Sequence, residues 1–474
     1  MALLVLAAVT FVAFITLDPD PNYLLAVSAA ANVVLISWCM HRLYAWRMLL
    51  SPAASVVVGP GMIVYYTWGN LTARIAGEFR FAGNALSLEA YPLASLLATI
   101  GLALFAVLAF RALGRAHRYR AVTYESLEWA PWQAPAATAA GMVLLAYLST
   151  KYEFRGGYFR EVVGDLDLWL AASQYFFLSL GALIGVSVSI RRDDVVGKLL
   201  GLSAVVAPLV IAVGLRSRTF MIALLITIMS GALTLRPRWV TSLSVLGIAI
   251  AVVLLSAGTI VKAANVGGIT ESILDNLVAA RDATPTMVIE EGLSSDNPDL
   301  EYRTAGLEFP AALIQLSESG VPPMYGQGIV QGALSGLPRF VRGEAEFSER
   351  RAIAMHYLHR GLLYDDSIGV PLTSGIADWG VVAGPLIYVV IALYCVVVWR
   401  FVQAGPRLFV AYLMAGASVG DLFWENAFFS VRAIAFAWLM LLVTGPLLMP
   451  RVRREASEEA RHAGMAPTPG MSRA

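Results

Sequence analysis

Charged residues are scarce in this chain. Only 14% of its 474 residues are Asp, Glu, Lys or Arg, whereas 58% are hydrophobic. An average soluble domain is about 25% charged and roughly 45–50% apolar, and a soluble core of this size could not bury so much additional apolar surface. The composition therefore excludes a soluble enzyme, a disordered chain and a coiled coil, and it predicts a polytopic membrane protein.

Cysteine is nearly absent, and neither sign of charge dominates. Cys39 and Cys395 both lie inside apolar runs, so a disulfide-stapled secreted fold is excluded and no metal-ligand spacing exists. The formal net charge is +1, and a protein without a basic field has little attraction for nucleic acid. We therefore expect no metal site and no nucleic-acid partner.

Long apolar runs recur along the chain. The hydrocarbon core of a bilayer is about 30 Å thick and takes roughly 17–25 helical residues to cross. Twelve runs are candidates for such spans: 2–17, 23–40, 50–68, 88–110, 135–150, 169–190, 199–214, 219–235, 239–257, 372–399, 408–424 and 430–449. The first run lacks the basic start and the small-residue cleavage site of a signal peptide, so we count it as a span. The predicted fold is an all-α polytopic bundle with about twelve transmembrane helices.

The distribution of cations predicts the orientation, because cytoplasmic loops of membrane proteins carry an excess of Lys and Arg. The ends of the even-numbered spans, together with the C-terminal tail, hold 18 of the 34 cations. The opposite side holds 16, and eight of these fall in one long loop, which leaves eight in its short loops. This asymmetry predicts that both termini are cytoplasmic and that the long loop is outside.

The long loop is the most distinctive part of the chain. Composition divides the sequence into four parts: spans 1–9 in 1–257, an extracytoplasmic loop domain in 258–371, spans 10–12 in 372–450, and a polar, disordered tail in 451–474. A loop of this length without structure of its own is uncommon. It holds eight Lys or Arg against fifteen Asp or Glu, and amphipathic helices are predicted within it at 271–281, 306–318 and 345–363. A folded loop above a bundle indicates a site at the outer membrane face.

Two pairs of arginines stand on the predicted outer side, where cations in short loops are scarce. Arg216 and Arg218 lie between spans 7 and 8, and Arg155 and Arg160 follow span 5 with a Gly-Gly pair and two aromatic residues between them. Arginine binds phosphate oxygens through two parallel hydrogen bonds and keeps its charge. All four are therefore candidate substrate-binding residues. The alternative interpretations are snorkelling arginines for the first pair and a turn in an interfacial aromatic belt for the second.

The long loop carries a further run of candidate binding residues. Tyr325 opens a Tyr-Gly-Gln-Gly run, and Arg339 and Arg342 follow on either side of Phe340 and Val341. The alternative is a surface loop punctuated by glycine and proline, with ordinary solvated cations.

Three ionisable residues are candidates for acid–base chemistry. His356 and His359 lie three positions apart on a predicted helix and share a face. No third ligand is spaced to hold a metal with them, and a solvated histidine is the alternative to a base. Asp378 lies inside an apolar run, where an ionisable side chain indicates function.

Three segments together resemble the Wzy-type O-antigen polymerases, which join oligosaccharide repeat units. The Gly-Leu-Arg-Ser-Arg run at 214–218 opens an apolar helix, as the arginine-bearing hairpin of that family does. Tyr325-Gly326 followed by Leu337-Pro338-Arg339 is similar to the family's tyrosine–glycine and proline–arginine loop segment. The stretch 367–384 is similar to the family's approach to the helix after the loop, with an acidic residue, an aromatic residue and two glycines. It departs from that pattern in the spacing of Gly380 and Gly384, which is four, and in the position of its acid, Asp378.

This resemblance covers residues 214–384 and implies a GT-C-like membrane glycosyltransferase that needs neither metal nor cofactor. Its substrates would be oligosaccharides on polyprenyl pyrophosphate, joined into an O-antigen, capsule or exopolysaccharide at the outer face of the bacterial cytoplasmic (inner) membrane. Its partners would be membrane lipid, a chain-length regulator and a flippase.

The implied reaction assigns roles to the candidate residues. Cationic groups must neutralise the pyrophosphate leaving group, and we assign this role to Arg216 and Arg218, with Arg339 completing the clamp. A base must deprotonate the acceptor hydroxyl, and the candidates are His359 and Asp378.

Two alternative functions stay open. An O-antigen ligase usually carries a His-Asn-like pair before the helix after the loop, whereas the histidines here are followed by Tyr357 and Arg360. A lipid-oligosaccharide flippase should line its central helices with charge, which this chain keeps away from the centres of its predicted spans.

Overall fold

A computed structural model describes part of the chain. The described residues are 2–17, 22–46, 48–58, 80–81, 84–85, 90–116, 127–152, 154–155, 158–159, 165–214, 218–235, 308–318, 320–327, 330, 371–403, 405–415, 427–448 and 451–452.

The described residues are mostly helical. The helices are α1 (Ala2–Leu17), α2 (Tyr23–Ala45), α3 (Pro52–Val58), α4 (Ala90–Ala116), α5 (Gln133–Ser149), α6 (Asp165–Arg191), α7 (Val195–Gly214), α8 (Arg218–Leu235), α9 (Glu308–Glu318), α10 (Pro371–Trp379), α11 (Ile387–Val402), α12 (Pro406–Met414), α13 (Ala427–Val443) and α14 (Gly445–Leu448). A 3₁₀ turn, Gly384–Leu386, precedes α11. Two-residue strands form three antiparallel pairs: β1 (Arg80–Phe81) with β2 (Asn84–Ala85), β3 (Leu127–Glu128) with β6 (Arg451–Val452), and β4 (Phe154–Arg155) with β5 (Tyr158–Phe159).

Several of these helices have the length and composition of membrane spans. Five segments qualify among the described residues: Tyr23–Ala45, Ala90–Gly114, Trp169–Arg191, Val195–Ala212 and Gly384–Val402. Shorter apolar helices occur at Leu3–Leu17, Leu224–Leu235 and Ala433–Val443. The fold is therefore mostly helical, with apolar helices able to cross a membrane, as the sequence predicts. The number of twelve spans stays a prediction, since 59–68, 239–257 and 416–424 lie outside the described residues.

One large apolar core connects most of the helices. It includes residues of α2, α4, α6, α10 and α11, and the fully buried rings of Tyr91 and Tyr388 are among its largest members. Gly101 of α4 packs so closely on α11 that a β-carbon there would overlap the ring of Tyr388. Small residues let apolar helices approach closely in membranes, where packing replaces the hydrophobic effect as the driving force.

The predicted span 372–399 is divided into two helices, which corrects the sequence interpretation. α10 ends at Trp379 because Gly380 has a φ of +83°, a conformation that glycine adopts without steric cost. Gly375 of α10 lies so close to Gly384 that a β-carbon on Gly375 would overlap the Gly384 carbonyl oxygen. α10 is thus a short buried helix packed on the start of α11, and the candidate membrane span begins at Gly384.

Helix α9 lies in the predicted outer loop, where the sequence predicts a helix over 306–318. Its apolar side chains Ala311, Ala312, Leu313 and Ile314 are buried, and the helix packs against α4 and α10. The apolar face of this loop helix therefore faces the bundle. The predicted helices at 271–281 and 345–363 lie outside the described residues.

The strand pair β3–β6 joins the segment before α5 to the segment after α14. Glu128 is the register partner of Arg451, and Nε2 of Gln133 donates a 2.8 Å hydrogen bond to the carbonyl oxygen of Leu447. The tail predicted to be disordered from Arg451 thus begins with a paired strand. Both segments are predicted to lie on one side of the membrane, the cytoplasmic side, and that orientation stays a prediction.

Candidate functional site

A backbone hydrogen bond joins the long loop to α10. The N–H of Met324 donates to the carbonyl oxygen of Ala377 over 2.8 Å. The side chain of Met324 is buried, so this point of the loop is anchored by packing as well as by hydrogen bonding. We refer to residues 324–326 together with residues 374–380 as the turn–helix site.

Tyr325 and Gly326 form the exposed side of the turn–helix site. Their φ angles are +54° and +85°, and the N–H of Gln327 donates to the carbonyl oxygen of Met324 over 3.2 Å. A side-chain-bearing residue in the left-handed region costs of order 1–3 kcal/mol, and such strain is concentrated at functional sites. Tyr325 is 79% exposed, and a β-carbon built on Gly326 would lie 3.9 Å from Nε1 of Trp379. The turn therefore presents an aromatic ring outward while its glycine rests near the end of α10.

The buried side of the turn–helix site holds two polar side chains. Asp378 is fully buried, and Ser374 is 7% exposed. Residues four apart share one face of a helix, so these two side chains are neighbours on α10. Within the described part of the chain the Ser374 hydroxyl has no hydrogen-bond partner. A buried hydroxyl without a hydrogen-bond partner lowers the free energy of unfolding by roughly 1–3 kcal/mol.

The burial of Asp378 limits its chemistry in this conformation. A general base must lie within hydrogen-bond reach of the proton that it removes, and a carboxylate without accessible surface does not touch a substrate hydroxyl. Asp378 could therefore act as a base only after a rearrangement that opens the site. In the described conformation it is one of the buried side chains of α10.

The structure brings together two of the three segments on which the family resemblance rests. Tyr325 is next in sequence to Met324, and Asp378 is next to Ala377, so the hydrogen bond between loop and helix brings the two segments into contact. Two other predicted binding residues lie in described elements. Arg155 is in β4, and Arg218 is the first residue of α8. The remaining predicted site residues lie outside the described residues: Arg160, Arg216, Arg339, Arg342 and His359.

Two features of the structure were missed by sequence reasoning. One is Ser374, because the lack of a partner for a hydroxyl is a tertiary property with no sequence signal. The other is an ionic cluster at the ends of α5 and α6, where Lys151 and Tyr152 meet Asp167. A Gly-Gly pair between short aromatic-containing segments is a hairpin signal, and recognising it would have brought the residues on either side of the hairpin together.

Comparisons of the chain with protein-family models, with curated proteins and with solved structures found no match. The resemblance to the O-antigen polymerases therefore rests on the three sequence segments.

Proposed function

We propose that the protein is a membrane glycosyltransferase that polymerises oligosaccharide repeat units carried on polyprenyl pyrophosphate, at the outer face of the cytoplasmic membrane. The observation that carries the proposal is the contact between the loop and α10. Met324 and Ala377 are 53 positions apart in sequence, yet their backbones are hydrogen-bonded. The contact assembles the tyrosine–glycine segment and the acidic–aromatic segment into one site, and these are two of the segments that resemble the polymerase family.

The reaction transfers a glycan from one lipid carrier to another glycan. The acceptor hydroxyl oxygen forms a bond to the anomeric carbon of the donor sugar, and the bond from that carbon to the pyrophosphate oxygen breaks. Polyprenyl pyrophosphate leaves with the electron pair, and the hydroxyl proton passes to a base, either His359 or Asp378. Correct placement of the acceptor and the base supplies much of the rate, because it makes a bimolecular step effectively unimolecular.

The leaving pyrophosphate needs positive charge close to its oxygens, and we assign this role to Arg216 and Arg218. α7 ends at Gly214 and α8 begins at Arg218, so Arg218 is the first residue of a helix. The partial positive charge at a helix N-terminus disfavours an arginine by about 0.3–1 kcal/mol, and it favours a phosphate group. An anionic ligand at this point would offset the unfavourable placement of Arg218.

The sugars of the substrate need flat apolar surfaces with polar edges. Tyr325 is largely exposed and Trp379 is half-buried beside the same turn. Aromatic rings of this kind combine a large apolar face with a hydrogen-bonding edge. We assign Tyr325 to the binding of the sugar that neighbours the reacting bond.

Deletion of the gene tests the proposal through the banding pattern of the surface glycan. The polymerase account expects glycan chains of a single repeat, restored to a ladder by the wild-type gene and by Tyr325→Phe, which keeps the ring. Tyr325→Ala should shorten the ladder at a normal membrane level. Loss of all attached glycan in the deletion strain would indicate a ligase instead, and lipid-linked units trapped at the cytoplasmic face would indicate a flippase.

A further inference from the structure

Helices α5 and α6 form a closely packed antiparallel pair. A β-carbon on Gly141 would lie 2.7 Å from Cγ of Leu178, and one on Gly181 would overlap the hydroxyl of Thr138. Such contacts permit only small residues at the crossing. The two helices therefore provide a rigid base for the segment that connects them.

An ionic cluster closes the connection at the ends of this helix pair. Nζ of Lys151 lies 3.5 Å from Oδ2 of Asp167, and the hydroxyl of Tyr152 donates a hydrogen bond to the same carboxylate oxygen. Lys151 also lies over the ring of Tyr147, with Nζ 4.5 Å from its centroid. The side chain of Asp167 is only 13% exposed, whereas that of Lys151 is 43% exposed. The mostly buried carboxylate thus accepts from two residues at the end of α5.

The geometry of the cluster raises the pKa values of Lys151 and Tyr152. The hydrogen bond to Asp167 raises the pKa of the Tyr152 phenol, since the neutral phenol is the form that donates. The hydrogen bond to Tyr147 raises the pKa of Lys151, and the charge of Asp167 adds to the effect. At neutral pH Lys151 is therefore an ammonium group and Tyr152 a neutral phenol.

The segment enclosed by the cluster is the one that carries Arg155. Strands β4 and β5 pair in antiparallel fashion, with Phe154 opposite Phe159 and Arg155 opposite Tyr158. A two-stranded hairpin is only marginally stable by itself. The hairpin therefore depends on contacts outside its own two strands. In sequence it lies between Tyr152 and Asp167, which are hydrogen-bonded to each other.

We infer that Asp167 is a positioning residue that fixes the β4–β5 hairpin, and with it Arg155, at the end of the α5–α6 pair. Lys151 is committed to Asp167 and to the Tyr147 ring, so the cluster uses this cation for structure. Arg155, which lies in β4, is then the cation that we assign to an anionic ligand, a pyrophosphate group. This last role rests on the proposed function, whereas the fixation of the hairpin does not.

Limited proteolysis with trypsin tests the inference, because Arg155 is itself a tryptic site. The full-length protein is reconstituted in nanodiscs, and the rate of cleavage after Arg155 is followed by mass spectrometry. A protease cuts a paired strand only when the strand opens locally. We expect Asp167→Asn to speed this cleavage about tenfold or more, since it removes the negative charge that pairs with Lys151 and leaves a weaker, neutral acceptor for Tyr152. Tyr152→Phe should give a smaller increase, and Asp167→Glu should restore part of the protection.

The matched control is Asp193→Asn, an exposed aspartate in the connection at the other end of α6. It should leave the cleavage rate unchanged, and all variants should retain the wild-type melting temperature within a few degrees. Equal cleavage of wild type and Asp167→Asn would overturn the inference, and so would an equal increase in Asp193→Asn.

A second arm adds inorganic pyrophosphate to the wild-type protein. Slower cleavage after Arg155 supports the hairpin as an anion contact. If pyrophosphate gives no protection while Asp167→Asn still speeds cleavage, the positioning role stands and the anion contact at this hairpin is wrong. The second arm thus distinguishes a failure of the positioning role of Asp167 from a failure of the anion contact.

Discussion

The N–H of Met324 donates a 2.8 Å hydrogen bond to the carbonyl oxygen of Ala377. This bond holds the turn that carries Tyr325 against the helix that carries Asp378. This backbone hydrogen bond involves neither the Tyr325 nor the Asp378 side chain. Substitutions at Tyr325 and Asp378 can therefore be interpreted as changes in the chemistry of the site rather than as losses of the loop–helix contact.

Asp378→Asn tests the role of the buried carboxylate. If Asp378 removes the acceptor proton, the variant should lose about 10²–10⁴-fold in polymerisation rate while donor binding persists. The amide has nearly the same size, so the protein should reach the membrane at its normal level. Asp193→Asn is the control, because that aspartate is exposed and far from α10 in sequence. Normal polymer from Asp378→Asn would transfer the role of base to His359 or, failing that, to His356.

Arg216→Lys tests the proposed pyrophosphate clamp. A lysine keeps the charge but not the planar fork that binds two phosphate oxygens, so the variant should be well inserted and should lose most of its polymerisation. Alanine at Arg216 or at Arg218 should cost more than the few tenths of a kcal/mol typical of a surface cation. Arg192→Lys, at an exposed arginine in the connection between α6 and α7, should have no effect. Full-length polymer from both alanine variants would show that these arginines only snorkel, and attention would move to Arg155 and Arg160.

Gly375→Ala tests the packing of α10 on the start of α11. The added β-carbon would overlap the carbonyl oxygen of Gly384, a backbone atom that cannot rotate away. We expect the free energy of unfolding to fall by about 1–3 kcal/mol, measured by thermal unfolding in detergent. Gly405→Ala is the matched control, since a β-carbon there meets nothing within 4 Å and the backbone is extended. Equal melting temperatures for the two variants would contradict the described packing.

The Lys151–Asp167–Tyr152 cluster predicts a loss of stability in alkaline solution. The pKa values of Lys151 and Tyr152 are both raised in the folded protein, so the folded state binds these protons more tightly than the unfolded state does. Their contribution is complete below the ordinary values near pH 10 and is lost as pH rises through the folded-state values. Melting temperatures between about pH 8 and pH 11 should therefore fall less steeply in Tyr152→Phe than in wild type. Tyr23→Phe, at an exposed tyrosine, should follow the wild-type curve, and identical slopes for all three proteins would disprove the linkage.

The helices themselves were largely predictable from the sequence, because membrane spans are defined by length and apolarity. The predicted runs 2–17, 23–40 and 169–190 correspond to α1, α2 and α6, with differences of a few residues at their ends. The break in 372–399 was not predictable in this way. That stretch is apolar on both sides of Gly380, and the left-handed φ of one glycine leaves no trace in hydropathy.

The individual residues of the candidate site were predictable from the sequence, but the contact between the two segments was not. The sequence singled out Tyr325 and Asp378, yet only the fold shows that Met324 and Ala377 are hydrogen-bonded. The burial of Asp378 was also unexpected, since an ionisable residue inside an apolar run suggests function without showing whether a substrate can reach it. The pairing of Lys151 with Asp167 leaves no trace in hydropathy, and its one signal in the sequence is the Gly-Gly hairpin pattern between the two residues.

Reconstitution of the purified protein tests the central claim most directly. The lipid-linked single repeat that a deletion strain should accumulate is extracted and added to liposomes that contain the wild-type protein. The account predicts a ladder of lipid-linked oligomers and the release of one polyprenyl pyrophosphate for each new linkage, with no ladder from Arg216→Lys. A single repeat that stays unextended by folded, inserted wild-type protein would contradict the account.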